Sequence, residues 1–316
     1  MTKELGRVGV LYGGLSAERE VSLMSGQGVC EALQSLGVDA HLFDLGHQDL
    51  CDLMHARFDR VFIALHGRYG EDGTVQGALE LLNLPYTGSG PMASSVAMDK
   101  VMTKQIWQHH RLPTPAWSVL HSEADLQTAA QRLDFPLILK PAHEGSTLGL
   151  TKVDAADALA DAYALAAKYD PVALAEHCIV GREFTVPVLG RGNNAKALPV
   201  IEIRAPDGNY DYEHKYFSDA TEYLCPAPIS EQLTTKIQQL AEQAYNVIAC
   251  EGWGRVDFML DEAGNPWLLE VNTSPGMTRQ SLVPMSAAAA GMSYAELCLA
   301  ILRDARCKVQ QVIQEA

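Results

Sequence analysis

The first hundred residues alternate unbroken apolar runs with stretches in which apolar residues recur three or four positions apart. Residues 7–12, 40–43 and 60–65 are runs typical of buried strands, and helically spaced segments follow the first and the last. Ser16, after the first run, is expected to cap the first helix. Strands that alternate with helices predict a parallel α/β domain, whose ligands gather in loops at the carboxyl ends of the strands.

The pattern changes after a proline-containing linker near residue 113. Apolar runs at 135–140, 172–176 and 183–189 predict strands, and residues 230–248 have the spacing of an amphipathic helix. The polar, aromatic stretch 206–225 has no clear period, which is typical of a lid or a binding loop. The region 287–316 is predicted to be helical, with a core stripe formed by Leu297, Ala300, Ile301, Ala305 and Val309.

Residues 256–260 and 267–271 are apolar runs separated by turn-forming residues, which predicts a β-hairpin. A two-residue turn at either of two adjacent positions would place Asp257 opposite Glu270 or opposite Asn272. Both registers put the three polar side chains on one face, because side chains alternate along a strand. A loop one residue longer or shorter would turn Asp257 away from the other two.

Two carboxylates and an amide on one face of a hairpin require an explanation, because like charges opposite one another destabilise a sheet. Oxygen ligands suit Mg²⁺, which takes one or two carboxylates and completes its shell with water and nucleotide phosphates. A bound hard cation is therefore one interpretation of Asp257, Glu270 and Asn272. The other is a solvated sheet edge with scattered acids.

A second candidate site follows the strand that ends in Lys140. The loop 141–149 contains Gly and Ser residues, whose backbone N–H groups and hydroxyls can approach phosphate oxygens. The alternative is a surface loop with an edge lysine. Residues 88–93 resemble a dinucleotide-binding fingerprint, but Pro91 and the lack of a clean preceding strand argue against it.

Composition limits the class of protein. The 316 residues are 47% hydrophobic, enough to bury a large core in two or three domains. A net charge of −15 argues against binding to nucleic acid or to a membrane, since both favour a basic surface. Seven scattered cysteines without a C-x-x-C motif indicate reduced thiols, and the N-terminus has no signal-like apolar run. A cytoplasmic location is expected.

The chain contains several separated motifs: GGLSAEREVS, HGRYGEDGTVQG, YTGSGPMASSVAMDK, KPAHEGSTLG, YDYEHKYFSD, GWGRVDFMLD, LLEVNTSPGMT and SLVPM. Together they resemble the D-alanine:D-alanine ligases, a family of ATP-grasp carboxylate-amine ligases. The resemblance covers about residues 9–303 and implies an α/β, three-domain ATP-grasp fold with an N-terminal parallel α/β domain. The implied domains are 1–97 on the substrate side, 98–180 as the central ATP-grasp domain, and 181–316 as the C-terminal ATP-grasp domain with the lid and the Mg²⁺ site.

The resemblance also implies cofactors and the residues that bind them. It implies ATP with two Mg²⁺ or Mn²⁺ ions, held by Asp257, Glu270 and Asn272, and it allows a monovalent cation. For ATP, the implied contacts are Lys100, Lys140 and Lys215 to the phosphates, Glu176 and Ile179 to the adenine, and Glu183 to the ribose.

The implied reaction joins two D-alanines at the expense of ATP for peptidoglycan precursor synthesis. The implied catalytic residues are Glu18, which would hold the first D-alanine, Ser146 and Tyr216, which would link it to the lid, and Arg255 and Gly276, which would stabilise oxyanions. The implied substrate-binding residues are His66, near the first D-alanine, and Ser281 and Leu282, at the second. A homodimer is also expected.

Two alternative functions follow from the same motifs. A sibling ligase would form D-alanyl-D-lactate or D-alanyl-D-serine, and Tyr216 and Leu282 favour the dipeptide, since lactate-forming relatives tend to carry a histidine in the lid. A non-catalytic ATP-binding scaffold would be expected to lack at least one of the key polar residues. Lys140, Arg255, Asp257, Glu270 and Asn272 are all present.

Overall fold

The computed structural model of the chain describes residues 3–145, 148–205 and 221–309. The strands are β1 (Arg7–Tyr12), β2 (Asp39–Asp44), β3 (Arg60–Ile63), β4 (Trp117–Leu120), β5 (Leu137–Pro141), β6 (Thr151–Val153), β7 (Ala173–His177), β8 (Gly181–Arg191), β9 (Lys196–Ala197), β10 (Ile201–Arg204), β11 (Glu222–Leu224), β12 (Glu251–Asp261) and β13 (Pro266–Asn272). The α-helices are α1 (Arg19–Ser35), α2 (Leu50–Ala56), α3 (Thr74–Leu81), α4 (Pro91–Met98), α5 (Lys100–His109), α6 (Asp125–Arg132), α7 (Leu159–Ala166), α8 (Glu231–Val247), α9 (Leu282–Ala289) and α10 (Tyr294–Arg303).

The N-terminal strands form a parallel sheet in the order β2-β1-β3. Val8 on the central strand lies opposite Ala40 on one side and Arg60 on the other. Val8 and Val10 are completely buried, as expected for a strand with a neighbour on each side and helices against the sheet. The predicted parallel α/β domain is confirmed.

The first helix begins later than the sequence predicted. Its N-cap is Glu18, not Ser16. The Ser16 hydroxyl instead donates to the His66 carbonyl at 2.7 Å and accepts from the Glu18 N–H at 3.2 Å. Ser16 therefore joins the loops that follow β1 and β3, and it fixes the position of Glu18 at the start of the helix.

An ion pair stabilises the same end of the parallel sheet. Both oxygens of Asp44 accept from the Arg19 guanidinium, at 2.9 and 2.6 Å, and the Gly46 N–H donates to Asp44 at 2.7 Å. The hydrogen bonds from Arg19, aided by the backbone, lower the pKa of Asp44 to about 2. The carboxylate therefore favours the folded state at neutral pH.

We expect Asp44→Asn to reduce the free energy of unfolding by about 1 kcal/mol at pH 7, allowing for solvent screening. Because the pKa of Asp44 is depressed on folding, its contribution is present above the unfolded value of about 4 and is lost as the pH falls towards about 2. Urea unfolding of wild type and variant should therefore converge in acid. Asp39→Asn, at an exposed position on the same strand, is the control. An equal gap at pH 7 and pH 3 would contradict this expectation.

Two antiparallel sheets follow along the chain. The first has the order β4-β7-β5-β6, and the second has the order β11-β10-β8-β12-β13 with β9 beside β8. Helices α5 and α8 share the core of the second sheet, where Trp107 and Phe258 are completely buried. The Trp107 indole N–H donates to the Ala244 carbonyl at 3.1 Å, so α5 is held against the second sheet although it precedes the first.

The predicted hairpin exists, but its turn is longer than predicted. Leu260 pairs with Pro266, so five residues separate this last pair, and this register alone would bring Leu269 opposite Asp257. A β-bulge after Asp257 adds one residue on β13 and restores the pairing of Asp257 with Glu270. The first of the two predicted registers is therefore correct at Asp257, and the predicted two-residue turn is wrong.

The C-terminal region forms two helices, α9 and α10, and not one continuous helical region up to the last described residue. Leu297 and Ile301 are buried as predicted, whereas Ala300 and Val309 are exposed. Both helices pack into the core of the N-terminal domain, where Val283 and Leu297 lie with Val10 and Val29. Across the described ranges, no single helix is long and apolar enough to cross a membrane, and the α9–α10 pair that passes on length and composition is bent by 105°.

Candidate active site

A pocket of about 880 Å³ collects nine of the residues singled out from the sequence. Its walls come from the loops after β1 and β3, the start of α5, the hairpin, and the segment that leads into α9. The predicted residues that line it are Glu18, His66, Lys100, Arg255, Glu270, Asn272, Gly276, Ser281 and Leu282.

The remaining predicted residues lie elsewhere. Ser146, Lys215 and Tyr216 are outside the described residues. Lys140, Glu176 and Asp257 are buried beside the pocket and do not line it, and Ile179 and Glu183 are half-buried where β7 leads into β8. The structure therefore separates the predicted residues that line the pocket from those that lie behind or beside it.

His66 is a buried connection between the N-terminal domain and the hairpin. Its Nδ1 lies 2.7 Å from the Ser274 carbonyl, and its Nε2 lies 3.0 Å from the Ser25 hydroxyl. Since a carbonyl can only accept, Nδ1 carries the proton and Nε2 accepts from Ser25, whose oxygen accepts the Met277 N–H at 3.1 Å. Burial lowers the pKa of His66, which agrees with a neutral ring. Its structural role is to fix the loop that contains Gly276.

We expect Ser25→Ala to lower the free energy of unfolding by about 1–3 kcal/mol, because it leaves His66 Nε2 and the Met277 N–H buried without partners. Denaturant unfolding measures the loss. Ser35→Ala is the matched control, since that serine is exposed in the last turn of the same helix. Equal stabilities for the two variants would argue against the connection.

Asp257 is hydrogen-bonded on all sides. Its Oδ1 accepts from Thr185 at 2.6 Å and from Arg255 Nε at 2.8 Å, and its Oδ2 accepts from Arg255 Nη2 at 2.8 Å and from Asn272 at 3.0 Å. The paired strand carries Glu270, whose Oε2 lies 3.3 Å from Lys100 Nζ. The three side chains therefore share the face that the sequence predicted.

The donor chemistry of this face fits Mg²⁺. Two carboxylates and an amide oxygen are hard ligands of the kind that Mg²⁺ prefers. Within the described ranges, no group of three or more His, Cys, Asp or Glu side chains could hold a metal ion, and a metal on this face would take its third protein donor from Asn272. Because Arg255 already neutralises Asp257, a cation bound there would compete with the guanidinium.

The loop after β5 is tied to both sides of the pocket. Lys100 Nζ donates to the Glu144 carbonyl at 2.7 Å, and the Glu144 carboxylate accepts from Arg68 Nε at 2.7 Å. Arg68 belongs to the loop after β3, so the pair joins the N-terminal domain to the candidate phosphate loop. The sequence contained both residues within its motifs but gave no indication that they meet.

Behind the pocket, the Glu176 carboxylate is shared by two lysines. Lys140 on the neighbouring strand binds Oε1, and Lys104 Nζ lies 2.8 Å from Oε2. Burial raises the pKa of Glu176, but the two ammonium groups outweigh it and lower the pKa overall. Lys104 was not predicted from the sequence.

Glu71 is a second residue that the sequence reasoning missed. It lines the pocket with Glu18 and accepts the Gly67 N–H at 2.9 Å. Burial, reinforced by the Glu18 carboxylate, raises the pKa of Glu71. Its position in the HGRYGEDGTVQG motif is the sequence feature that could have marked Glu71 as a site residue.

A parallel α/β domain facing two antiparallel sheets, with lysines and acids converging on the cleft between them, defines a ligase of the ATP-grasp class. Residues 106–303 match the model for the D-ala D-ala ligase C-terminus, and residues 46–89 match the model for the D-ala D-ala ligase N-terminus. The chain belongs to the D-alanine–D-alanine ligase family.

Relatives and solved structures agree with this assignment. The chain is 64% identical over 310 residues to the D-alanine–D-alanine ligase of Bordetella pertussis, covering 98% of each chain. It is 59% identical over 312 residues to that of Herminiimonas arsenicoxydans, covering 97% of this chain and 93% of the relative. A crystal structure of D-alanine–D-alanine ligase from Bacillus anthracis superposes with a TM-score of 0.84 at 34% identity, covering 94% of this chain and 96% of that one. A Bacillus anthracis structure complexed with ATP gives 0.81 at 33% identity.

Proposed function

We propose that this chain joins two molecules of D-alanine to D-alanyl-D-alanine, with ATP converted to ADP and phosphate, as a step in peptidoglycan precursor synthesis. The observation that carries the proposal is the convergence of Glu18, Arg255 and the hairpin acids on one pocket, in a chain that matches named ligases over nearly its full length. The proposal includes a cytoplasmic location, a homodimer and the three domains 1–97, 98–180 and 181–316.

The substrate-facing residues divide into two groups. Glu18, at the start of α1, is proposed to hold the ammonium group of the first D-alanine. Ser281 is the N-cap of α9 and Leu282 is its first residue, where the positive end of the helix dipole favours the carboxylate of the second D-alanine. Ser146 and Tyr216 are proposed to connect the first D-alanine to the lid.

The nucleotide site is proposed to lie around Glu176. We assign Lys100, Lys140 and Lys215 to the phosphates, Glu176 and Ile179 to the adenine, and Glu183 to the ribose. Asp257, Glu270 and Asn272 would hold two Mg²⁺ or Mn²⁺ ions, which neutralise phosphate charge when bound. A monovalent cation remains an optional part of this proposal.

Two chemical steps follow. A carboxylate is a poor acylating agent, so the first D-alanine attacks the γ-phosphorus of ATP and becomes an acyl phosphate, with ADP as the leaving group. The deprotonated amine of the second D-alanine then attacks the acyl carbon. Arg255 and the backbone N–H of Gly276 stabilise the resulting oxyanion, which collapses as phosphate leaves. A closed lid excludes the water that would hydrolyse the acyl phosphate.

The test is ADP release with D-alanine alone and with D-alanine plus D-lactate or D-serine, with each product identified by mass. The proposal expects D-alanyl-D-alanine from D-alanine alone. Formation of a mixed product in its place would identify a sibling ligase, and ATP binding without turnover would indicate a scaffold. Light scattering at the assay concentration tests the homodimer.

A further inference from the structure

Lys104 is a fully buried ammonium group with no part in the proposed chemistry. Its side chain is 0% exposed, although it lies on α5 only four residues from Lys100, which lines the pocket. Its Nζ lies 2.8 Å from Glu176 Oε2 and donates to the Thr114 hydroxyl at 2.6 Å. Lysine is among the residues least often buried, and almost never without a charged partner. The charge of Lys104 is therefore compensated by the Glu176 carboxylate.

Glu176 has two positive partners, and their surroundings differ. Lys140 retains 10% exposure beside the pocket, whereas Lys104 has none. Thr114 also donates to the Leu268 carbonyl at 2.9 Å, which fixes the Lys104 environment to the hairpin strand. Burial lowers the pKa of Lys104, and the adjacent Glu176 carboxylate opposes that shift. Lys104 is held in place, and Lys140 is the partner that can turn towards a ligand.

We propose that Lys104 is a positioning residue of the nucleotide site, a fixed counter-ion that keeps Glu176 paired when Lys140 turns to the bound nucleotide. This inference rests on the proposed ATP-dependent function. Removing one partner of a buried ion pair is strongly unfavourable, because the other charge is left without compensation. With Lys104 present, Lys140 can leave Glu176 without creating such a charge. Without it, Glu176 would retain Lys140.

The test measures the dissociation constant of Mg-ATP by calorimetry, without D-alanine, on the full chain. Lys104→Met should weaken ATP binding by at least about tenfold, since Lys140 is then held by Glu176. Glu176→Gln removes the carboxylate that holds Lys140, so K104M/E176Q should bind ATP as well as E176Q alone. A residue with a general structural role would instead weaken binding equally in both backgrounds.

Thr114→Val is the matched control, because it removes the other partner of Lys104 and leaves its charge in place. It should change the ATP dissociation constant by less than about twofold, as expected if the charge and not the hydrogen bond matters. If Lys104→Met yields too little folded protein, Lys104→Gln carries the test, because glutamine keeps a hydrogen-bond donor near Glu176 but not the charge, and it should weaken ATP binding in the same way.

The possible outcomes separate the inference from the proposed function. Wild-type binding of ATP with an unaffected Lys104→Met variant would overturn the inference alone, as would a K104M/E176Q variant weaker than E176Q. A wild-type chain that binds no ATP would overturn the proposed function and the inference with it. Rescue of Lys104→Met by E176Q would establish that Lys104 acts through Glu176.

Discussion

Arg255→Ala should lower kcat by about 10²-fold or more, because it removes the proposed donor to the oxyanion of the second chemical step. The same change should leave the Mg²⁺ requirement unchanged or reduce it. Arg255 makes two hydrogen bonds to Asp257, both at 2.8 Å, so its removal takes a competing positive charge away from a proposed metal ligand. Steady-state kinetics with saturating ATP and D-alanine, repeated over a range of Mg²⁺ concentrations, would measure both quantities.

Arg255→Lys is the control for this pair of effects. Lysine keeps the charge but cannot reproduce the two-pronged contact with Asp257, so an intermediate kcat is expected. A change confined to KM, with kcat intact, would refute the oxyanion role. A higher Mg²⁺ requirement in Arg255→Ala would indicate that the arginine orders the metal ligands.

Glu270→Gln should raise the Mg²⁺ concentration needed for half-maximal activity by about 10–100-fold or more, because Glu270 is a proposed metal ligand. Substitution of a residue that only hydrogen-bonds to a metal ligand already lowers metal affinity by that factor. Glutamine preserves the side-chain shape and removes the charge. The Lys100 ammonium, 3.3 Å from Glu270, would lose its carboxylate partner, so ATP binding is expected to change in the same variant.

Asp261→Asn is the matched control for Glu270→Gln, because it removes an acid from the same hairpin. Asp261 lies at the turn, outside the pocket, where its carboxylate accepts from the Trp267 indole at 3.0 Å and from the Asn265 N–H at 2.8 Å. Its removal should leave the Mg²⁺ dependence unchanged. Similar Mg²⁺ curves for the two variants would show that Glu270 is not a metal ligand.

The hairpin shows how much of the site followed from the sequence. Alternation along two strands predicted that Asp257, Glu270 and Asn272 share a face, and the structure has them there. The predicted turn was too short, and the longer turn alone would have placed Asp257 on the opposite face from Glu270. A β-bulge in β13 restores the pairing of these two residues. The alternation of apolar residues cannot predict a bulge, because the extra residue looks like any other apolar position in the strand.

The long-range contacts could not be predicted in this way. Ser25 meets a histidine 41 positions away and a backbone N–H 252 positions away, and no local pattern encodes either contact. Lys104 was missed for a different reason. A lysine on an amphipathic helix is ordinarily solvent-exposed, whereas Lys104 is enclosed between Glu176 of the first antiparallel sheet and Thr114, which donates to the hairpin strand.

The packing of α9 and α10 into the N-terminal core has a consequence for biosynthesis. The strands of the parallel sheet are synthesised before Val283, Leu297 and Ile301, which complete its core. The nascent sheet therefore keeps apolar surface exposed until α9 and α10 have been made, and chaperones have the opportunity to bind it during that interval. A stop codon before α10 would harm the parallel sheet, although it leaves every strand of that sheet in place.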